Sequence, residues 1–138
     1  MYSSIVIAAA LFNEGATTRA ALKKAQAMLD KGGKITLVHV IDEVPGYVAA
    51  SIPKEHMTAR RRETEEQLEA IAAEATGVAV ETVVREGQPS ASILGAAQEA
   101  GADLIMIASH KPGFSDYFIG STAARVVRHA QVSVLVSR

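Results

Sequence analysis

The sequence predicts an α/β protein built on a doubly wound, parallel sheet of five strands with four helices in three layers, and three observations carry that expectation. Short runs of wholly apolar or β-branched residues recur along the chain, as in strands covered on both faces. Stretches with apolar residues at helical spacing separate them, and Gly or Pro stands at most junctions. Five strands alternating with helices imply right-handed crossovers in one sheet.

The first strand is Ile5-Val6-Ile7-Ala8-Ala9-Ala10. Asn13 is a plausible N-cap for a helix whose Ala21, Leu22, Ala25, Met28 and Leu29 share a face until Gly32-Gly33 ends it. The β-branched run Ile35 to Ile41 gives the second strand. Residues 42–53, with Pro45, Gly46 and Pro53, read as a long loop able to act as a lid. Glu55 to Thr76 follows as a helix with Leu68, Ile71, Ala72 and Ala75 inward. Its Arg60-Arg61-Arg62 run, interleaved with Glu63, Glu65 and Glu66, reads as a solvated face rather than an anion site. Val78 to Arg85 is the third strand, and Pro89 opens a helix at the position that tolerates its missing N–H. That helix runs to about Gly101. Asp103 to Ser109 is the fourth strand; Ala123, Val126, Val127 and Ala130 mark the last helix, and Val132 to Ser137 the fifth strand.

A chain of 138 residues has room for one domain, residues 1–138, with no linker, repeat or low-complexity segment. Fourteen basic and 15 acidic residues leave a formal net charge of −1, which argues against nucleic acid as a partner. With no cysteine there is no disulfide framework, thiol nucleophile or thiolate metal site. The N-terminus leads straight into an apolar run too short to cross a bilayer, so a cytoplasmic protein without a membrane partner is expected.

In such a sheet, ligands bind at the carboxyl ends of strands where neighbouring crossovers diverge, here the loops after the first and fourth strands. Gly120, Ser121 and Thr122 start the last helix, where backbone N–H groups and hydroxyls suit an anion. Spacing alone favours the plainer reading, with Gly120 as a turn and Ser121 as a cap. Neither Gly-x-x-x-x-Gly-Lys-Ser/Thr nor Gly-x-Gly-x-x-Gly occurs. His39, His56, His110 and His129 fall in different elements without metal-ligand spacing; His39 reads as a satisfied core histidine and His129 as a partner of a helix C-terminus. No catalytic residue or triad stands out, so no enzyme activity is expected.

The blocks Asp103-Leu-Ile-Met-Ile-Ala-Ser-His110, Gly120-Ser-Thr-Ala-Ala-Arg-Val-Val-Arg-His-Ala130 and Val132-Ser-Val-Leu-Val136 resemble the universal stress proteins. Leu37-Val-His-Val-Ile-Asp42 and Glu86-Gly-Gln-Pro89 extend the likeness over the whole chain, and Ala-Ser-His-x-Pro is most similar to the short enterobacterial F- and G-type members. The resemblance implies the strand order 3-2-1-4-5, an adenine nucleotide (ATP, ADP or AMP, with or without magnesium) and a regulatory role in stress response. It assigns phosphate contacts to Ser109, His110, Gly113, Gly120, Ser121 and Thr122, the adenine contact to Val40, a ribose contact to Gly87, and the first-strand contacts to Ala8 and Ala10. It also implies a homodimer through the C-terminal strand, an apolar edge before Arg138, with room for higher oligomers.

Two departures from the family pattern follow. Ala108 replaces the first glycine of the phosphate motif, and the segment from Ala108 to Gly120 is one residue shorter than that motif. Ala10 stands where nucleotide-binding members carry Asp, a loss worth about 1 to 3 kcal/mol if one good hydrogen bond goes with it. A nucleotide-free dimeric scaffold acting through protein contacts is the alternative.

Overall fold

A computed structural model describes residues 1–42, 45–109 and 119–138. The strands β1 (Tyr2–Ala8), β2 (Leu29–Asp42), β3 (Ala79–Gly87), β4 (Leu104–Ala108) and β5 (Ser133–Ser137) form one parallel sheet in the order β3-β2-β1-β4-β5. The apolar run of β1 takes the centre because it is buried from Ser4 to Ile7 and pairs on both sides: Ile5 is level with Ile35 of β2 and Leu104 of β4. Side chains alternate across a strand. Ile5 and Ile7 therefore join Ile35, Leu37, Leu104 and Met106 beneath Leu22 of α1 (Ala16–Met28) and Leu68 and Ile71 of α3 (Lys54–Ala72). Val6, Val38, Ile105 and Ile107 face the other way, against Ile93, Ala96 and Ala97 of α4 (Pro89–Glu99) and Ala123 and Val126 of α5 (Ser121–His129).

Several boundaries differ from the sequence reading. β1 closes at Ala8, and Ala9 and Ala10 leave the strand. Asn13 caps nothing: Asn13, Glu14 and Gly15 take φ of 52°, 56° and 76°, one left-handed turn that ends on Gly15 as the N-cap of α1. Only Gly15 of the three adopts that region without a steric cost. Helix α1 stops at Met28, not at Gly32, because Leu29 turns extended and its side chain folds over Gly33. A Cβ at Gly33 would stand 2.7 Å from Leu29 Cδ1 and 2.9 Å from the Ser3 carbonyl oxygen, so the glycine is required by this close approach.

The expected loop over residues 42–53 contains a one-turn helix, α2 (Gly46–Ala49), after Pro45. Helix α3 ends at Ala72, four residues before Thr76. Pro89 does occupy the first turn of α4, with the Gln88 side chain as cap, accepting from the Ala91 N–H at 2.7 Å. On α5, Val127 is 48% exposed and Ala130 has left the helix, because α5 buries only the narrow stripe of Ala123 and Val126.

At the amino end of the sheet, Asp103 ties β4 to β1. Its carboxylate accepts from the N–H groups of Ser3 and Ser4 at 3.0 Å and from the Ser3 hydroxyl at 3.2 Å. The Ser3 amide above all holds this carboxyl below its ordinary value, against the opposing effect of partial burial.

Candidate functional site

At the carboxyl ends of β1 and β4 the two crossovers leave on opposite faces, α1 on one and α5 on the other. A cavity of about 670 Å³ opens there, between the loop after β1, the end of β2, the start of α4 and the start of α5. It is lined by Ala8, Ala10, Val40, Ser109, Gly120, Ser121 and Thr122, so these seven predicted site residues come together. Gly87 lines an adjoining cavity of about 420 Å³ instead, with φ of +135° that suits glycine. His110 and Gly113 lie outside the described residues.

The floor follows from strand pairing. The β1–β2 ladder ends at Ala8 opposite Val38, and the Ala9 N–H still reaches the Val38 carbonyl at 2.7 Å. Main-chain groups of a sheet strand face its two neighbours in alternation. Those of Val40 thus turn the same way as those of Val38, over the end of β1 and into the cavity, where a planar heterocycle could bond to both.

The wall after β1 is held by two side chains. The His39 Nδ1–H donates to the Ala9 carbonyl at 3.0 Å, in the tautomer that this bond requires. The Thr18 hydroxyl, 1% exposed, accepts from the Ala10 N–H and donates to the Ala10 carbonyl, each at 2.8 Å. Ala10 therefore offers the cavity a methyl group, while both polar groups of its main chain are engaged.

The opposite wall is the start of α5. The Gly120 N–H donates to the Ser109 carbonyl, and the Ser109 N–H donates to the Ser137 carbonyl at 2.7 Å, which fixes the start of α5 against the end of the sheet. Gly120 is the N-cap with φ of −63°, an ordinary conformation, and no side chain caps the helix. Ser121 is accordingly a first-turn residue and not the cap. The first N–H groups of a helix need partners from outside it, and they sit at the positive end of its dipole.

Sequence reasoning passed over Thr18 and gave Arg60 to a solvated face. Arg61 fits that reading, paired with Glu65 at 3.2 Å and donating to the Val84 carbonyl at 2.9 Å. Arg60 lines both cavities. Its signal is its position in the second turn of the helix that follows Pro53, which charge patterning does not register.

The strand order and the crevice at the β1/β4 switch define the class as an open, doubly wound α/β protein. A sequence model of the Universal stress protein family matches residues 1–138. Universal stress protein G of Shigella flexneri is 31% identical over 146 residues, covering 100% of both chains. The solved structure of the hypothetical protein MJ0577 aligns with a TM-score of 0.81 and 26% identity over 99% of this chain and 96% of that one. Two solved structures share the fold alone, at 19% and 20% identity and TM-scores of 0.62 and 0.63: a universal stress protein in complex with cAMP, and one from Archaeoglobus fulgidus in complex with dAMP. Each alignment covers 99% of this chain, with 97% and 98% of the respective partner. The chain belongs to the universal stress protein family.

Proposed function

We propose that residues 1–138 form one cytoplasmic domain that binds ATP, or ADP or AMP, in the β1/β4 crevice and acts as a regulatory module in stress response. The observation that carries the reading is the convergence of Ala8, Ala10, Val40, Ser109, Gly120, Ser121 and Thr122 on one cavity of about 670 Å³. That volume lies within the range of small-molecule sites. The base would lie along β2 at Val40, and the phosphates would take the amides and hydroxyls at Gly120, Ser121 and Thr122, with His110 and Gly113 beside them and Gly87 nearer the ribose. The complexes with cAMP and dAMP are consistent with an adenine nucleotide in this fold.

No residue is assigned to catalysis, and any ATP hydrolysis is expected to be too slow to be metabolic. Magnesium, if bound, would come with the nucleotide; among the described residues no group of three His, Asp or Glu side chains gathers to hold a metal. Nor does any helix among them have the length and apolarity to cross a membrane.

Titration calorimetry with ATP, ADP and AMP at millimolar concentration, with magnesium present, tests the proposal. Heat of binding for at least one supports it; none for all three refutes it. The second reading, a nucleotide-free dimeric scaffold, draws on Ala10, whose side chain is a methyl and whose main chain is committed to Thr18. Purified protein absorbing at 260 nm beyond its tyrosines, with no Trp in the chain, would speak for nucleotide over scaffold. Both readings include a homodimer through β5, an apolar strand paired on one side by β4. Light scattering that gave a monomer at micromolar concentration would exclude it.

A further inference from the structure

We propose that Arg60 caps the base of the bound nucleotide, its guanidinium stacked on the purine at the β2 end of the crevice. The inference rests on the adenine-nucleotide reading above and adds a recognition residue to it. Arg60 projects from α3 to the boundary shared by the 670 Å³ crevice and the 420 Å³ cavity beside it, together with Ile41 and Asp42. Its neighbour Arg61 is committed to the protein, through Glu65, Glu86 and the Val84 carbonyl. Arg60 makes no side-chain hydrogen bond or ion pair among the described residues; only its main-chain carbonyl is used, accepting from the Thr64 hydroxyl at 2.9 Å. Among the described residues lining the crevice, Arg60 and Asp42 are the two formal charges.

Position decides which part of a ligand meets the guanidinium. The helix start at Gly120 lies beyond β4, whereas Arg60 stands over β2, and these strands flank β1. Two strand spacings separate β2 from β4, about 9.5 Å, roughly the reach from a nucleotide's phosphate to its base. A phosphate on the α5 amides thus brings the base, not a second phosphate, to Arg60. The two walls there come from opposite faces of the sheet. Val38, Val40 and Ile93 belong to the apolar cluster on the α4 side, and Arg60 reaches over from α3 on the other. A planar base fits between an aliphatic wall and a planar cation, and guanidinium groups stack on aromatic faces in a way that ammonium groups do not reproduce.

Calorimetric titration of adenosine and of AMP, into wild type, Arg60→Ala and Arg60→Lys, tests the assignment. Arg60 is exposed, so the fold should survive either change. Arg60→Ala is expected to weaken adenosine and AMP by the same factor, about two- to five-fold for an exposed cation–π contact. Arg60→Lys should recover only part of that loss. Weakening of AMP with adenosine untouched would overturn the inference by assigning Arg60 to phosphate, and unchanged binding of both would overturn it outright. Wild type that binds neither compound would refute the nucleotide reading itself, and base capping with it.

Discussion

The Thr18 hydroxyl holds the loop that replaces the family carboxylate, and Thr18→Val removes that hydroxyl at nearly constant volume. Two hydrogen bonds of 2.8 Å disappear, one donated by the Ala10 N–H and one accepted by the Ala10 carbonyl. Each contributes on the order of 0.5 to 1.5 kcal/mol, and both main-chain groups are left facing a methyl, so the expected loss is about 2 kcal/mol. For a chain of this length that is roughly 6 to 10 °C in Tm by calorimetry or circular dichroism. Thr18→Ser keeps the hydroxyl and is expected to stay within about 1 kcal/mol of wild type, the cost of one methyl group. Because Ala10 lines the crevice, Thr18→Val should also weaken AMP more than Thr18→Ser does. A Tm for Thr18→Val within about 1 °C of wild type would refute the clamp.

Four further outcomes are expected. Thr36 Oγ1 is buried without a hydrogen-bond partner among the described residues, so Thr36→Val should raise stability by about 1 kcal/mol in denaturant unfolding; a loss of that size would contradict the assignment. Asp103 has a depressed folded pKa, so its contribution is complete above the unfolded value of about 3.9 and is lost as pH falls through the folded one. Asp103→Asn should therefore cost about 1 kcal/mol at neutral pH and converge on wild type in acid; a gap that stayed constant down to about pH 2 would be inconsistent with that linkage. Gly33→Ala should cost more than about 1 kcal/mol, since the new methyl meets main chain at the Ser3 carbonyl, and an unchanged Tm would show that the Leu29 fold-over yields easily. Ala10→Asp, which restores the family carboxylate, is expected to tighten AMP about tenfold by titration; weaker binding would mean that the Thr18-held loop has no room for it.

The sheet was legible because its central strands are apolar on both faces. Ile5 to Ile7, Ile35 to Ile41 and Leu104 to Ile107 announce themselves as runs, and Pro89 marks a helix start by an arithmetic of missing donors that needs no tertiary contact. Leu29 and Val127 misled the reading for the opposite reason. Both satisfy helical spacing, yet Leu29 is drawn over Gly33 and Val127 falls outside the narrow stripe that α5 buries. The crevice residues at Val40 and Gly120 to Thr122 were accessible through family resemblance and the switch-point rule. Thr18 was not, because its role depends on the left-handed turn at Asn13 to Gly15, which carries the chain so that residue 18 meets residue 10. Arg60 gave no signal of the two cavities it lines, since three successive arginines beside glutamates look alike in sequence, whereas in the fold Arg61 pairs with Glu65 and Glu86.

The contact between Ser3 and Asp103 spans 100 residues of sequence, and it has a kinetic meaning. β1 is made first yet sits at the middle of the sheet, and its partner on one side does not exist until Leu104 to Met106 are synthesised. At about 5 to 20 residues per second, that edge waits roughly 5 to 20 s on the ribosome. An open edge carrying Ile5, Val6 and Ile7 is a template for pairing with another nascent chain. Closing so distant a pair is also the slow kind of folding step. A chain interrupted before residue 104 would therefore contain the residues of α1 to α4 and still fail to close its sheet, exposing the strand that the finished protein hides best.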